Sequence, residues 1–134
     1  MSEELKKIEE FHGHLGPYVV VGYRMGKIAN EKLGSDPFTK KAVVWTGIKP
    51  PVSCMIDGIQ MGSGCTIGKG NLEVKNKCIP KVTFSNDSGK NIEIILKEII
   101  RNEIDETVTD DNIVCYSEKL FKKTDQELFE IKRV

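Results

Sequence analysis

The stretch PYVVVGYRMGKIANEKLG, residues 17–34, decides the fold because it predicts one long and largely buried helix. Pro17 suits the first turn of a helix, and Gly34 suits the position just after its end. The apolar residues that line one face at helical spacing are Val21, Met25, Ile28 and Ala29. Gly22 and Gly26 lie four residues apart, and each costs a helix about 1 kcal/mol relative to alanine. That cost favours the close approach of a second backbone at this face.

The rest of the chain predicts an α+β fold in a single domain, residues 1–134, with a small, mainly antiparallel sheet packed against helices. Helices are expected after a cap at Ser2, over 54–61 and over 110–123, and strands over 42–48, 72–74, 81–85 and 128–134. Residues 91–105 stay ambiguous, because a strand returning from the turn at 86–89 and a helix fit their apolar pattern equally well. Thr124 and Glu127 have the spacing of a capping box.

Composition excludes several classes of function. The chain has 134 residues, with 20 Lys and Arg against 20 Asp and Glu, so its formal net charge is zero. This balance argues against a nucleic-acid or membrane-surface binder, because both depend on a positive field. No apolar run approaches the ~18 residues of a membrane span, and no signal peptide is recognisable, so a cytoplasmic protein is expected.

Both histidines of the chain fall within four residues, Phe11-His12-Gly13-His14. On a turn, two imidazoles two residues apart can converge on one site, whereas on a regular helix they would diverge. Neutral imidazole is a common ligand of zinc, iron and nickel. The alternative is a pair of histidines that only bond to backbone at a helix end.

A second cluster combines Cys54 and Asp57, which share one face of a short helix, with the glycine-rich loop 64–71 that contains Cys65 and Lys69. Cys54 near a helix N-terminus suits either a metal ligand or a nucleophile, and a buried small side chain is the alternative. Lys69 could meet an anionic group of a substrate or remain a solvated loop lysine. The loop is not a phosphate-binding P-loop, since Gly70 follows Lys69 where Ser or Thr is required.

These segments together resemble the FmdE family, which takes its name from a component of formylmethanofuran dehydrogenase. The first motif is FHGHLGP, residues 11–17, with Gly22 and Gly26 behind it. The second comprises Cys54, Asp57, Gly58, Gln60 and the loop 64–71. The resemblance covers about the first 90 residues and is that of a core domain without the cysteine-rich zinc finger of longer members.

The resemblance implies an α+β core that dimerises and a metal site or active site built from both motifs. Some members are associated with the molybdenum or tungsten enzyme that fixes carbon dioxide onto methanofuran in methanogens. Carried over, the metal ligands are His14, Cys54 and Cys65, with His12 close by, and the ion is zinc, or else iron or nickel. Cys54, Asp57 and Lys69 are the candidate catalytic residues.

Three functions are therefore compatible with the sequence. The first is a metal-dependent enzyme, or a component of an oxidoreductase, that acts on a small one-carbon or carbonyl-type substrate, with Asp57 orienting a ligand or moving a proton. The second is a non-catalytic accessory protein that docks on a larger molybdenum or tungsten oxidoreductase. The third is a thiol enzyme with Cys54 as nucleophile and His14 as base. A homodimer is expected in each case.

Overall fold

The computed structural model describes all residues, 1–134, and confirms the α+β class. Six helices and five strands follow one another along the chain. The helices are α1 (Glu3–His12), α2 (Pro17–Leu33), α3 (Cys54–Ser63), α4 (Glu98–Thr107), α5 (Ile113–Phe121) and α6 (Asp125–Leu128). The strands are β1 (Lys40–Val44), β2 (Leu72–Val74), β3 (Lys81–Asn86), β4 (Asn91–Leu96) and β5 (Phe129–Arg133).

The strands form one sheet in the order β2-β1-β3-β4-β5. Only the pairing of β1 with β2 is parallel, and the other three pairings are antiparallel. In β4, Ile92, Ile94 and Leu96 are buried and alternate with less buried residues, so one face of the sheet packs into the core. The predicted mainly antiparallel sheet is thus confirmed.

The packing of α2 against α3 is closer than side chains would allow. A Cβ atom on Gly22 would lie 2.0 Å from the backbone oxygen of Met55, and one on Gly58 would lie 2.0 Å from the backbone oxygen of Val19. Gly26 and Gly62 make the same kind of contact one turn further on. The close approach predicted from the glycine spacing in α2 is confirmed, and α3 is the partner. This contact fixes the position of the functional residues at the start of α3.

The structure resolves the ambiguity of residues 91–105 and shortens the strand expected over 42–48. Residues 91–105 divide into strand β4 and helix α4, since Ile92 to Leu96 pair with β3 while Ile100 and Ile104 are buried at helical spacing. The strand expected over 42–48 ends at Val44, and only an isolated bridge at Thr46 follows. The predicted capping box at Thr124 is confirmed and begins the four-residue helix α6. No helix combines the length and apolar character needed to cross a membrane.

Candidate functional site

Both histidines lie where α1 ends and α2 begins. His12 is the last residue of α1, and Gly13 follows with a φ of +102°, a conformation that side chains rarely adopt. The turn at Gly13 places His14 beside His12, with 5.1 Å between the ring centroids. The predicted convergence of the two imidazoles is therefore present. His14 is exposed and packs on Gly16, whose absent Cβ would lie 3.1 Å from the imidazole Cε1 atom.

Helix α3 brings Cys54 and Asp57 to the same place. Cys54 is the first residue of α3, and Asp57 lies one turn later, as the spacing predicts. The Asp57 Oδ2 atom lies 2.6 Å from His12 Nδ1, and the His12 side chain is only 10% exposed. A carboxylate at this distance accepts a strong hydrogen bond from the ring and fixes its orientation. The Nε2 atom of His12 is thereby the nitrogen left for another partner.

A cavity of about 370 Å³ lies beside the two histidines and Cys54. His12, His14 and Cys54 all line it, and most of its remaining wall is apolar. The apolar wall residues come from four segments and are Pro17, Val19, Pro50, Pro51, Ile104, Val108 and Ile113. A concave, mostly apolar pocket with a few convergent polar groups is typical of small-molecule sites.

The thiol of Cys54 is held in its protonated form. Its burial raises the pKa of the Cys54 thiol, and the negative charge of Asp57 raises that pKa further. A hydrogen bond from the backbone of Cys54 lowers the pKa of its thiol by less than these two contributions raise it. A free thiol in this environment is a weaker nucleophile near neutral pH than an activated catalytic cysteine.

Sequence reasoning missed a polar pair that also lines the cavity. The Tyr18 hydroxyl donates a 3.0 Å hydrogen bond to Oδ1 of Asp105, and both residues line the cavity. Burial and the Asp105 carboxylate raise the pKa of Tyr18 above its ordinary range, so the hydroxyl stays protonated. Tyr18 could be placed near the histidine turn from the sequence, but Asp105 lies 87 residues away and nothing in its surroundings marks it.

The structure does not bring Cys65 and Lys69 to this cavity. Cys65 follows Gly64, which comes directly after the end of α3, and the ten residues of α3 span about 15 Å. A single ion therefore cannot contact Cys54 and Cys65 of the same chain. Cys65 is fully buried, and its backbone N–H donates to Ser63 Oγ. The Lys69 ammonium lies 5.7 Å from the centroid of the Phe38 ring, in the same distant loop region.

The other two thiols are also outside the cavity, and both Cys78 and Cys115 are exposed. In the structure, no three side chains among His, Cys, Asp and Glu already stand in the arrangement of a metal site. The polar groups that line the cavity are two imidazoles, one thiol and the pair of Tyr18 and Asp105, while Asp57 orients His12 from outside the lining.

Comparisons with known proteins agree with the fold and the motifs. A solved structure of a tungsten formylmethanofuran dehydrogenase FmdE-like protein from Syntrophus aciditrophicus superposes with a TM-score of 0.74 at 20% identity. The superposition covers 98% of this chain and 70% of that chain. At this identity the likeness concerns the fold.

A curated relative from Archaeoglobus fulgidus, named a probable S-adenosyl-L-methionine-binding protein, is 38% identical over 74 residues. That match takes in 54% of this chain but only 20% of the relative's length. The family model described as FmdE, molybdenum formylmethanofuran dehydrogenase operon, matches residues 11–130. Since this range includes both motifs and most of the chain, the protein belongs to the FmdE family.

Proposed function

We propose that this protein binds one transition-metal ion through His12, His14 and Cys54 and uses it to bind a small one-carbon or carbonyl-type molecule. The observation that carries the proposal is the convergence of two imidazoles and a thiol, from two separate parts of the chain, on one cavity. Mixed nitrogen and sulfur ligands suit zinc first, and iron or nickel next, and they do not suit magnesium or calcium.

Two imidazole nitrogens and one thiolate sulfur are ligand atoms that such an ion prefers. The hydrogen bond between Asp57 and Nδ1 of His12 is the arrangement that orients metal-bound histidines and increases their basicity. His14 is exposed beside Gly13 and Gly16, so its ring has room to turn toward an ion. Cys54 has to lose its proton on binding, which makes metal affinity fall as the pH is lowered.

The size of the cavity supports a small ligand. Its volume of about 370 Å³ lies at the lower end of small-molecule sites, and its wall is mostly apolar. When bound with three protein ligands, a zinc-like ion supplies Lewis acidity and an acidified water molecule. Tyr18 and Asp105 hold a proton in the lining of the cavity, where a polar group of the ligand would meet it. Asp57 acts as a positioning residue through His12.

The second candidate is a non-catalytic metal-binding accessory protein of a molybdenum or tungsten oxidoreductase. The description of the family by its formylmethanofuran dehydrogenase operon favours it. The third function, a thiol enzyme, is disfavoured because the raised pKa of Cys54 keeps its thiol protonated.

Metal content of variants tests the ligand set. Protein purified without chelator is expected to carry about one ion per chain by plasma mass spectrometry. Cys54→Ser and His14→Ala should lose most of it, and Asp57→Asn should weaken the affinity by about 10- to 100-fold. Cys115→Ser is the matched control, because its thiol is exposed and outside the cavity. Full metal content in Cys54→Ser would refute the assignment.

Cobalt substitution separates the two candidate functions. Cobalt(II) in an open site changes its visible spectrum when a small ligand enters the free position. With formate as the probe, a spectral change that Cys115→Ser retains supports an open, catalytic type of site. A cobalt spectrum that formate leaves unchanged favours the accessory function.

A further inference from the structure

A second concave surface lies apart from the cavity of the histidines and Cys54. It is a groove of about 640 Å³ between the end of α2, the turn from β3 to β4, and strand β5. The two sites share no lining residue. Strand β5 is at the edge of the sheet, so the groove opens at the side of the molecule.

The charged side chains that line this groove are all positive. Lys32, Lys90, Lys132 and Arg133 line it, and no Asp or Glu side chain does. None of these four cations lies within 4.0 Å of a carboxylate in an ion pair. In a chain with equal numbers of acidic and basic residues, a groove lined by four basic and no acidic side chains has a local positive potential.

The sheet register places two of these cations, Arg133 and Lys90, on the apolar face of the sheet. Arg133 pairs with Ile92, and Ile131 with Ile94, so Arg133 and Ile131 belong to the face of the sheet that carries the core. Lys90 precedes Ile92 by two residues and shares that face. Lys132 pairs with Glu93 and belongs to the opposite face.

Apolar side chains lie between the cations. Leu33 at the end of α2 and Ile92, Phe129 and Ile131 of the sheet form this floor. The negative end of α2 explains why a single lysine, Lys32, is favourable in its last turn. It does not explain Lys90 and Arg133, which come from the turn and from the edge strand.

We propose that this groove binds a small organic phosphate, that is, a molecule that joins an apolar or aromatic body to a group with two or more negative charges. The body would lie on the floor around Phe129 and Ile131, and the phosphate groups would meet Lys32, Lys90 and Arg133. Arginine and lysine are the side chains that bind phosphate most often, and the volume of the groove is within the range of small-molecule sites. A phosphorylated metabolite and a phosphate-bearing coenzyme share this chemistry.

Fluorescence anisotropy with a methylanthraniloyl derivative of ATP tests the proposal on the full chain. Binding should weaken as salt is added, because exposed charges are screened. The triple variant Lys32→Ala, Lys90→Ala, Arg133→Ala should bind about tenfold more weakly. The control triple variant Lys7→Ala, Lys77→Ala, Lys119→Ala removes the same charge from exposed positions elsewhere and should bind as the parent does.

Competition separates a phosphate ester from a simple anion site. ATP should displace the probe at a lower concentration than pyrophosphate or citrate, because only ATP has a body for the apolar floor. Three results would overturn the proposal: no binding at about 1 mM probe, an equal loss in both triple variants, or displacement by citrate as effective as by ATP. Since all six substituted side chains are exposed, both variants are expected to fold, and circular dichroism verifies this.

Discussion

Replacing Gly58 by alanine should force α2 and α3 apart and break the hydrogen bond between His12 and Asp57. The new Cβ would lie 2.0 Å from the backbone oxygen of Val19 and 2.5 Å from the backbone nitrogen of Tyr23. Cβ atoms in proteins essentially never approach other heavy atoms closer than 3.0 Å, so the backbones must separate by at least 1.0 Å. Backbone atoms of a buried helix cannot turn aside as the end of a flexible side chain can.

The consequence for the site follows from the same displacement. His12 belongs to α1, and with α1 in place a movement of α3 by 1.0 Å along the bond would lengthen the distance from His12 Nδ1 to Asp57 Oδ2 from 2.6 to 3.6 Å, which is no longer a hydrogen bond. Overpacking lowers the free energy of unfolding by about 1–3 kcal/mol. The higher helix propensity of alanine raises it by about 1 kcal/mol. Because the clash involves two backbone atoms, we expect a net loss of about 2 kcal/mol and a fall in melting temperature of about 6–10 °C.

Thermal unfolding followed by circular dichroism measures the loss of stability, and zinc titration measures the effect on the site. Gly68→Ala is the control, because its Cβ would meet nothing closer than 3.9 Å and its φ is not positive. It should change stability by no more than about 0.5 kcal/mol. A Gly58→Ala protein as stable as the parent, with unchanged zinc affinity, would refute the claim that the backbone contact of α2 and α3 positions Asp57.

Three further predictions concern other parts of the chain. Cys65→Ala should leave metal content unchanged but cost about 1 kcal/mol, since Cys65 is fully buried; loss of metal in this variant would contradict the separation of the two thiols. Thr124→Ala should cost about 1 kcal/mol in urea unfolding through the lost cap of α6. Hydrogen bonds, chiefly from the backbone N–H of Thr124, lower the pKa of Glu127, so the contribution of this carboxylate is complete above its ordinary pKa of about 4.3 and is lost as the pH falls below it. Glu127→Ala should therefore destabilise the protein more at neutral than at acid pH, and an equal loss at both would count against this. The homodimer implied by the family remains a prediction, and light scattering should give about twice 15.0 kDa, whereas a mass near 15.0 kDa at micromolar concentration would reject it.

The sequence predicts local features well where one physical cause dominates. Gly22 and Gly26 indicate a close backbone contact because glycine in a helix has a cost that something must offset. The capping box at Thr124 is a local hydrogen-bond pattern, and it forms as predicted. Cys54 and Asp57 converge because helical spacing alone places them on one face.

What sequence reasoning could not supply is the position of one segment relative to another. Asp105 reaches Tyr18 only through the packing of α4, and the hydrogen bond between Asp57 and His12 joins residues 45 apart. The grouping of Cys65 with Cys54 followed from the family resemblance. A helix over 54–61 already places its far end about 12 Å from Cys54, and Cys65 lies beyond that end. Helix geometry therefore argues against that grouping even without the structure.

Zinc K-edge X-ray absorption of the protein loaded with one equivalent of zinc tests the central claim most directly. The claim is that His12, His14 and Cys54 are the protein ligands. It predicts one sulfur at about 2.3 Å and two imidazole nitrogens at about 2.0–2.1 Å, with the sulfur absent in Cys54→Ala. Two sulfur ligands, or a sulfur that persists in Cys54→Ala, would contradict the assignment and return Cys65 or another thiol to the site.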